Sequence, residues 1–396
     1  ITGYRWEFPD NIDASTLCPA TEPNAQRAFQ RIVGKPFSPG AILGWKNQYG
    51  VSIPKPMEWL HILLQECTSS LIATGHEGGY WIDHWTYIVD LLEAYEGIWP
   101  DAIEAMLTEN ANIPWFDEGA FVEPRSVKHV MRPGGPLQLD AVSDAIPGST
   151  VFPAVTPLAK CCALLAIKAI SLDAEGLGIE MEAGRPGWND SLNGLPGIFG
   201  SSTCETAEAA RLARWILNTL PTLPNTKFPG TVAKMIRLVS DDLNNDQYDW
   251  ERATTLREMY RDELRQQPDA EMELLDGALL QSILERIEKR MRHGIERAID
   301  PNTNLLATYY RATPINPRLL PGDDADTARL EITQFDLKAL PLFLEGQVHY
   351  LRLLRNDEHT AQAIYSAVRN SDLFDTELAM YKLNECIDNM PKEIGR

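Results

Sequence analysis

Long apolar runs, redox-paired cysteines and nucleotide-binding glycine motifs are all missing from this 396-residue chain. The longest apolar segment, around Cys161 to Ile170, is interrupted by Lys168 and falls short of a membrane span, so no membrane association is expected. Basic residues are the scarcer sign of charge, 36 against 56 acidic, and the net charge of -20 gives a field that repels phosphate backbones and anionic lipid. Nucleic acid is excluded as a partner on the same ground. The six cysteines form no CxxC pair and no regular framework, which suits reduced thiols and a cytoplasmic location. There is no GxxxxGK[ST], GxGxxG or GxSxG, which removes the usual phosphate-loop, dinucleotide and nucleophile-elbow chemistries.

Metal sites fare no better in the linear pattern. His76-Glu77 lacks the second histidine of HExxH. Asp242, Asn244 and Asp246 begin like a calcium loop, but Gln247 replaces the turn glycine and Ala253 stands where a bidentate glutamate belongs. No metal and no organic cofactor is expected.

Helical spacing, by contrast, is widespread after residue 55. Met57, Leu60, Leu64, Cys67 and Leu71 step by three or four, as do Ile82, Trp85, Val89, Leu92 and Tyr95. The segment 157–171 is apolar on nearly every side and reads as a helix buried among helices. Ser202 followed by Glu205 matches a capping box, and the stripe from Met272 to Ile295 predicts one long helix over 271–297. Strand signals are few and short, so the class is mainly α: a lead-in over 1–55 with little regular structure, then a helical domain over 56–396. Long Pro- and Gly-rich stretches at 130–157, 173–202 and 313–322 separate the helices, and loops of this length in a helical domain carry function more often than not.

The second of these stretches is the densest in chemistry. Glu180, Glu182, Arg185, Trp188, Asn189, Asp190 and Asn193 lie within fourteen residues of one another. Glycosidic cleavage needs a proton donor for the leaving oxygen, an aromatic platform for the sugar and amides for its hydroxyls, and this loop offers each. The competing reading is a connector in which Asp190 and Asn193 close turns with their own side chains. A second cluster, Gly79-Tyr80-Trp81-Ile82-Asp83-His84-Trp85, places Asp83 at the start of a helix with Trp81 and Trp85 as stacking surfaces. Glu205 is a further candidate for reaching a substrate, against its capping role.

The stretch Gly187-Trp188-Asn189-Asp190-Ser191-Leu192-Asn193 resembles the signature of the inverting β-glucoside phosphorylases, the cellobiose phosphorylase type and its larger 1,3-β-oligoglucan phosphorylase relatives. The similarity extends through Pro341-Leu342-Phe343-Leu344-Glu345-Gly346 and Met380-Tyr381-Lys382-Leu383-Asn384 to Glu393-Ile394-Gly395-Arg396. It implies an (α/α)6 barrel, Asp190 as general acid, Asp83 as the anchor of the non-reducing glucosyl unit, and inorganic phosphate as co-substrate. Trp188, Asn189, Asn193, Glu182 and Arg185 would line the sugar site. Relatives carry a β-sandwich before the barrel and continue past the Glu-Ile-Gly-Arg segment with a Glu and a His for acceptor or phosphate. The expectation is therefore a barrel fragment, lacking its last helix, that associates with the missing parts of a larger polypeptide or with its own copies. Two alternatives stand beside phosphorolysis. One is an inverting hydrolase with Glu182, Asp83 or Glu205 as base, and the other is an inactive structural or glycan-binding subunit.

Overall fold

The computed structural model describes residues 3–9, 12–72, 84–113, 121–140, 142–143, 153–185, 187, 189–245, 247–266, 268–320, 328–354, 357–388, 390 and 394. The chain divides into two compact units, Ile1–Glu77 and Gly78–Arg396.

Three short helices build the first unit: α1 (Pro23–Val33), α2 (Pro39–Gln48) and α3 (Pro56–Gln65). Each opens on proline, which is tolerated there because the first-turn N–H groups have no intrahelical partner. Ala25, Phe29 and Val33 recur along one face of α1 and are buried. The Trp45 ring lies 4.9 Å from that of Phe29, and its Nε1 donates to the Ala25 carbonyl at 2.8 Å. The strands Gly3–Glu7 and Thr68–Ile72 pair antiparallel.

The first 55 residues are thus more ordered than the sequence suggests, and the boundary falls at Glu77. Pro23, Pro39 and Pro56 are helix starts. The apolar steps from Met57 to Leu71 also do not make one helix. α3 stops at Gln65, and Leu71 belongs to the strand.

In the second unit the helices are α4 (His84–Ile98), α5 (Ile103–Thr108), α6 (Arg125–Lys128), α7 (Pro157–Ala169), α8 (Thr203–Thr219), α9 (Gly230–Leu243), α10 (Trp250–Gln266), α11 (Gly277–Arg297), α12 (Leu344–Leu353) and α13 (Glu358–Arg369). α8 is the hub: it packs against α4, α7, α11 and α12, and Thr203 to Ala213 are buried without a break. α7 is likewise buried on most sides, as its composition requires. Side-chain caps start the major helices. Thr156 accepts from Ala159 N for α7 at 3.2 Å, and Ser202 from Cys204 N for α8 at 3.2 Å.

Asp276 caps α11 by accepting from Ala278 N and Leu279 N. That cap explains why the long helix begins at Gly277 and not at residue 271. Met272–Leu275 is instead a strand, paired antiparallel with Thr226–Pro229.

One four-stranded antiparallel sheet carries the base of the Asp190 loop. Its order is Phe335–Ala339, Tyr309–Pro314, Gly200–Ser202, Ile179–Glu180. The other described sheets are two-stranded, so the class is mainly α. Among the described residues no helix is long and apolar enough to cross a membrane.

Two glycines give opposite tests of this packing. A Cβ on Gly277 would stand 1.9 Å from the Leu223 carbonyl oxygen, whereas one on Gly97 in α4 would meet nothing within 4 Å. Gly277→Ala is expected to lose about 1–3 kcal/mol of stability to overpacking, and Gly97→Ala to gain about 0.5–1 kcal/mol through helix propensity. Urea midpoints at constant slope check both signs.

Candidate functional site

The Asp190 loop begins and ends at one place in the sheet. Ile179–Glu180 pairs antiparallel with Gly200–Ser202, and Met181 N donates to Gly200 O at 2.8 Å. Gln138 fastens both arms above this base, its Nε2 donating to Met181 O at 2.9 Å and Pro196 O at 3.0 Å. Between these points, residues 182–199 form a long excursion. Its return arm makes a 3-10 turn over Leu195–Ile198 that ends on Phe199 at φ 62°, a left-handed conformation that costs a bulky residue about 1–2 kcal/mol. Ala312 N donates to Phe199 O at 3.0 Å, and the Phe199 ring lies between His129 at 5.1 Å and Phe335 at 5.3 Å, which together hold that geometry.

On the crest of the excursion Asp190 opens a second 3-10 turn, Asp190–Leu192; its side chain lies outside what is described. Asn189 is half-buried and its Oδ1 accepts from Ser191 N at 3.1 Å and Ser191 Oγ at 2.7 Å, so it closes the turn. Asn193 is exposed one turn later. Arg185 is bound to the loop's own frame: it donates to Gly184 O at 2.8 Å and lies 3.7 Å from Asp140. At the far side of the crest Gly194 N donates to Ile394 O at 2.7 Å, which docks the buried Ile394 on the loop. Trp81, Asp83 and Trp188 lie outside the described residues, as does the side chain of Trp85 in α4.

Glu182 sits at the stem, not the crest. It accepts from Lys128 Nζ and from Arg261 Nη1 at 3.0 Å. Glu180, two residues earlier on the same side of the chain, accepts from Trp250 Nε1 and Arg257 Nη2, both at 2.6 Å. Burial alone would push the Glu182 carboxyl up, but the Lys128, Arg261 and Arg257 charges hold it well below the usual carboxylate range. Arg125 extends the network. Its side chain pairs with Glu251 at 2.8 Å and Glu258 at 3.3 Å, and its guanidinium lies 5.5 Å from the Trp250 ring centroid. These groups line a cavity of about 30 Å³, room for a water or two.

Sequence reading missed this cluster, although a signal existed. Trp250, Thr254, Arg257 and Arg261 fall on one face of α10, opposite carboxylates that alternate along 180–182.

Glu205 occupies the first turn of α8, buried, and its charge supports the buried Lys168 ammonium, which burial otherwise pushes down. It heads a polar face of α8 that continues through Glu208 and Arg211. Glu208 is fully buried between Arg211 Nη1 at 2.9 Å and His349 Nδ1 at 2.6 Å. Arg211 also bonds Glu93 and Asp90 of α4. Cys204 joins Glu345 and His349 in the one group of metal-ligating side chains found among the described residues. Cys204 is remote in the chain from the other two, so no spacing rule could reveal the group.

Asp242, the head of the rejected calcium loop, is neutralised by Arg290 at 2.7 Å and Arg252 at 3.3 Å. That pairing occupies the carboxylate in a structural role.

The stem makes stability depend on pH in a calculable direction. Burial, aided by the Lys128 charge and opposed by Glu182, pushes the His129 imidazole down to about 3 from an ordinary 6.5, with Arg125 and Arg257 adding to the depression. An unfolded chain therefore binds a proton below pH 6.5 that the folded chain refuses until about pH 3, and stability is lost as pH falls through that window. Asp173, pushed up to about 6 by burial despite bonds from Leu177, Gly178 and Ser201, acts in the opposite sense between pH 6 and 3.8. Because Asp173 is common to both chains, His129→Gln isolates the imidazole. The wild type is expected to lose about 3 kcal/mol more than this variant between about pH 6.5 and 4, read from urea midpoints across pH.

No protein-family model matches the chain, and no curated protein matches it.

Proposed function

We propose that the chain is the catalytic part of an inverting glycoside phosphorylase acting on β-linked gluco-oligosaccharides, with Asp190 as general acid. The observation that carries this reading is that Asn189 and Asp190, which follow Trp188 in the sequence, stand at the crest of a loop whose two arms are fastened to one sheet and to Gln138. A proton donor has to be held to within a fraction of an ångström of the leaving oxygen, and a braced stem supplies that rigidity. The (α/α)6 barrel belongs to the same proposal and rests on the sequence resemblance, within a mainly α unit.

In this reading the Asp190 carboxyl gives its proton to the glycosidic oxygen as the C1–O bond breaks. A phosphate oxygen attacks C1 from the opposite face, and α-glucose 1-phosphate leaves. Asp83, with Trp81 and Trp85, anchors the non-reducing sugar. Asn189 keeps the turn that presents Asp190. Phosphate arrives as an anion, so no second carboxylate has to activate the nucleophile.

Hydrolysis requires such a base, and of its three candidates Glu182 and Glu205 are poorly placed for it, while Asp83 lies outside the described residues. Glu182 is locked between Lys128 and Arg261 with a depressed pKa, which weakens it as a proton acceptor. Glu205 is buried beside Lys168.

Incubation with laminari- and cello-oligosaccharides, with and without phosphate, separates these outcomes. Phosphate-dependent release of glucose 1-phosphate is expected, and Asp190→Asn should lower it about 10²–10⁴-fold without changing the urea midpoint. Turnover that ignores phosphate would establish hydrolysis, and absence of any turnover would leave a binding or structural subunit.

A further inference from the structure

We propose that Cys204, Glu345 and His349 bind a single divalent metal ion of the zinc class. The ligand atoms come from two packed helices. Cys204 stands in the first turn of α8, and Glu345 and His349, four residues apart, share one face of α12. One atom from each lies within 4.8 Å of the others, and Glu345 Oε1 is 4.0 Å from His349 Nε2. Metal–ligand distances of about 2.0–2.3 Å put neighbouring ligand atoms roughly 3.3–3.7 Å apart in a tetrahedron. Side-chain adjustment of about an ångström closes the group on an ion.

The surroundings orient each ligand as a metal site requires. Glu208 Oε1 lies 2.6 Å from His349 Nδ1, which fixes the ring proton there and directs the Nε2 lone pair toward Glu345. Tyr309 donates its hydroxyl to Glu345 Oε2 and so holds the other oxygen, Oε1, on the side of the imidazole. Glu208 itself is balanced by Arg211 at 2.9 Å.

Thiolate, carboxylate and neutral imidazole carry two negative charges, which a divalent ion cancels. Binding releases the Cys204 proton to solvent. A sulfur, nitrogen and oxygen donor set favours zinc or cobalt over magnesium or calcium, which select oxygen alone. Three protein ligands leave a fourth position for water or a substrate oxygen.

Cobalt is the probe, because a cobalt–thiolate bond has its own near-ultraviolet charge-transfer band and tetrahedral cobalt absorbs strongly in the visible. The full chain carrying Cys386→Ser, which removes the exposed thiol, is freed of metal with chelator and titrated with Co²⁺. Saturable growth of both bands at one equivalent is expected, with Zn²⁺ abolishing them and Mg²⁺ leaving them unchanged. Cys204→Ser should abolish the charge-transfer band. Glu345→Gln, which keeps the shape and the Tyr309 contact, and His349→Gln should each weaken cobalt binding at least about tenfold.

Absence of the thiolate band in the Cys386→Ser chain, or its survival in Cys204→Ser, overturns the proposal. Should Cys204→Ser lose its helical circular dichroism, the other two variants decide: unchanged cobalt affinity in both also overturns it. The readout needs no sugar substrate and is independent of the phosphorylase reading.

Discussion

At the root of the Asp190 loop the Glu182 carboxylate, with Glu180 two residues before it, sits in a setting where a lone charge is costly. The two are tolerable only because Lys128, Arg257 and Arg261 surround them. That demand couples parts of the chain distant in sequence: α6 gives Lys128, α10 gives both arginines, the strand Ile179–Glu180 gives one carboxylate and the first residue of the excursion, Glu182, the other. Removing one partner would leave the rest uncompensated, at a cost of about 3–5 kcal/mol for a buried pair. Such a cluster contributes little net stability compared with an apolar core of equal volume. What it adds is geometric uniqueness, since each ion has one arrangement in which its charge is met, and the loop springs from that arrangement.

α8 faces the same problem from the other side of the sheet connection. Its first turns are buried, yet they carry Glu205, Glu208 and Arg211. Each is met by a partner from a neighbour: Lys168 of α7, the Nδ1 of His349 of α12, and Asp90 and Glu93 of α4. The hub helix is therefore held by specific polar contacts to all four of these helices, since Arg214 adds Glu288 of α11 at 2.6 Å. A small shift of α12 would break the Glu208–His349 contact before it opened any apolar gap. The same contact helps to set the register of the proposed metal ligands, which straddle α8 and α12.

Helix type was legible from period alone, and its ends were not. α7 and α8 fall close to where apolar spacing and caps put them, because burial and capping act locally and leave a local trace. Met272–Leu275 had helical spacing but became a strand, since pairing with Thr226–Pro229 is a contact between distant segments that periodicity does not register. The start of the chain was underrated for a related reason, as proline at a helix start and proline as a breaker look alike until the partner face is known. At the candidate site, the sequence pointed to Asp190's loop but not to its support. Gln138, His129 and Phe199 carry no motif, and their roles come from where three remote segments converge.

Charge balance narrows where an anionic co-substrate could be met. The basic residues at the stem look like an anion site when counted by themselves. Yet Arg125, Lys128, Arg257 and Arg261 are answered by Glu180, Glu182, Glu251 and Glu258, so their charges are already met. An overall charge of -20 adds a field that opposes approach. Phosphate in the proposed reaction has therefore to be received nearer the crest, by donors not already engaged at the stem. On this view the stem and the crest divide the work: ionic groups fix the loop's position, and the crest is left to meet sugar and phosphate in the proposed reaction. A carboxyl group that must be protonated before it can act as an acid is better served by that separation, because the cations that hold Glu182 ionised would hold Asp190 ionised too.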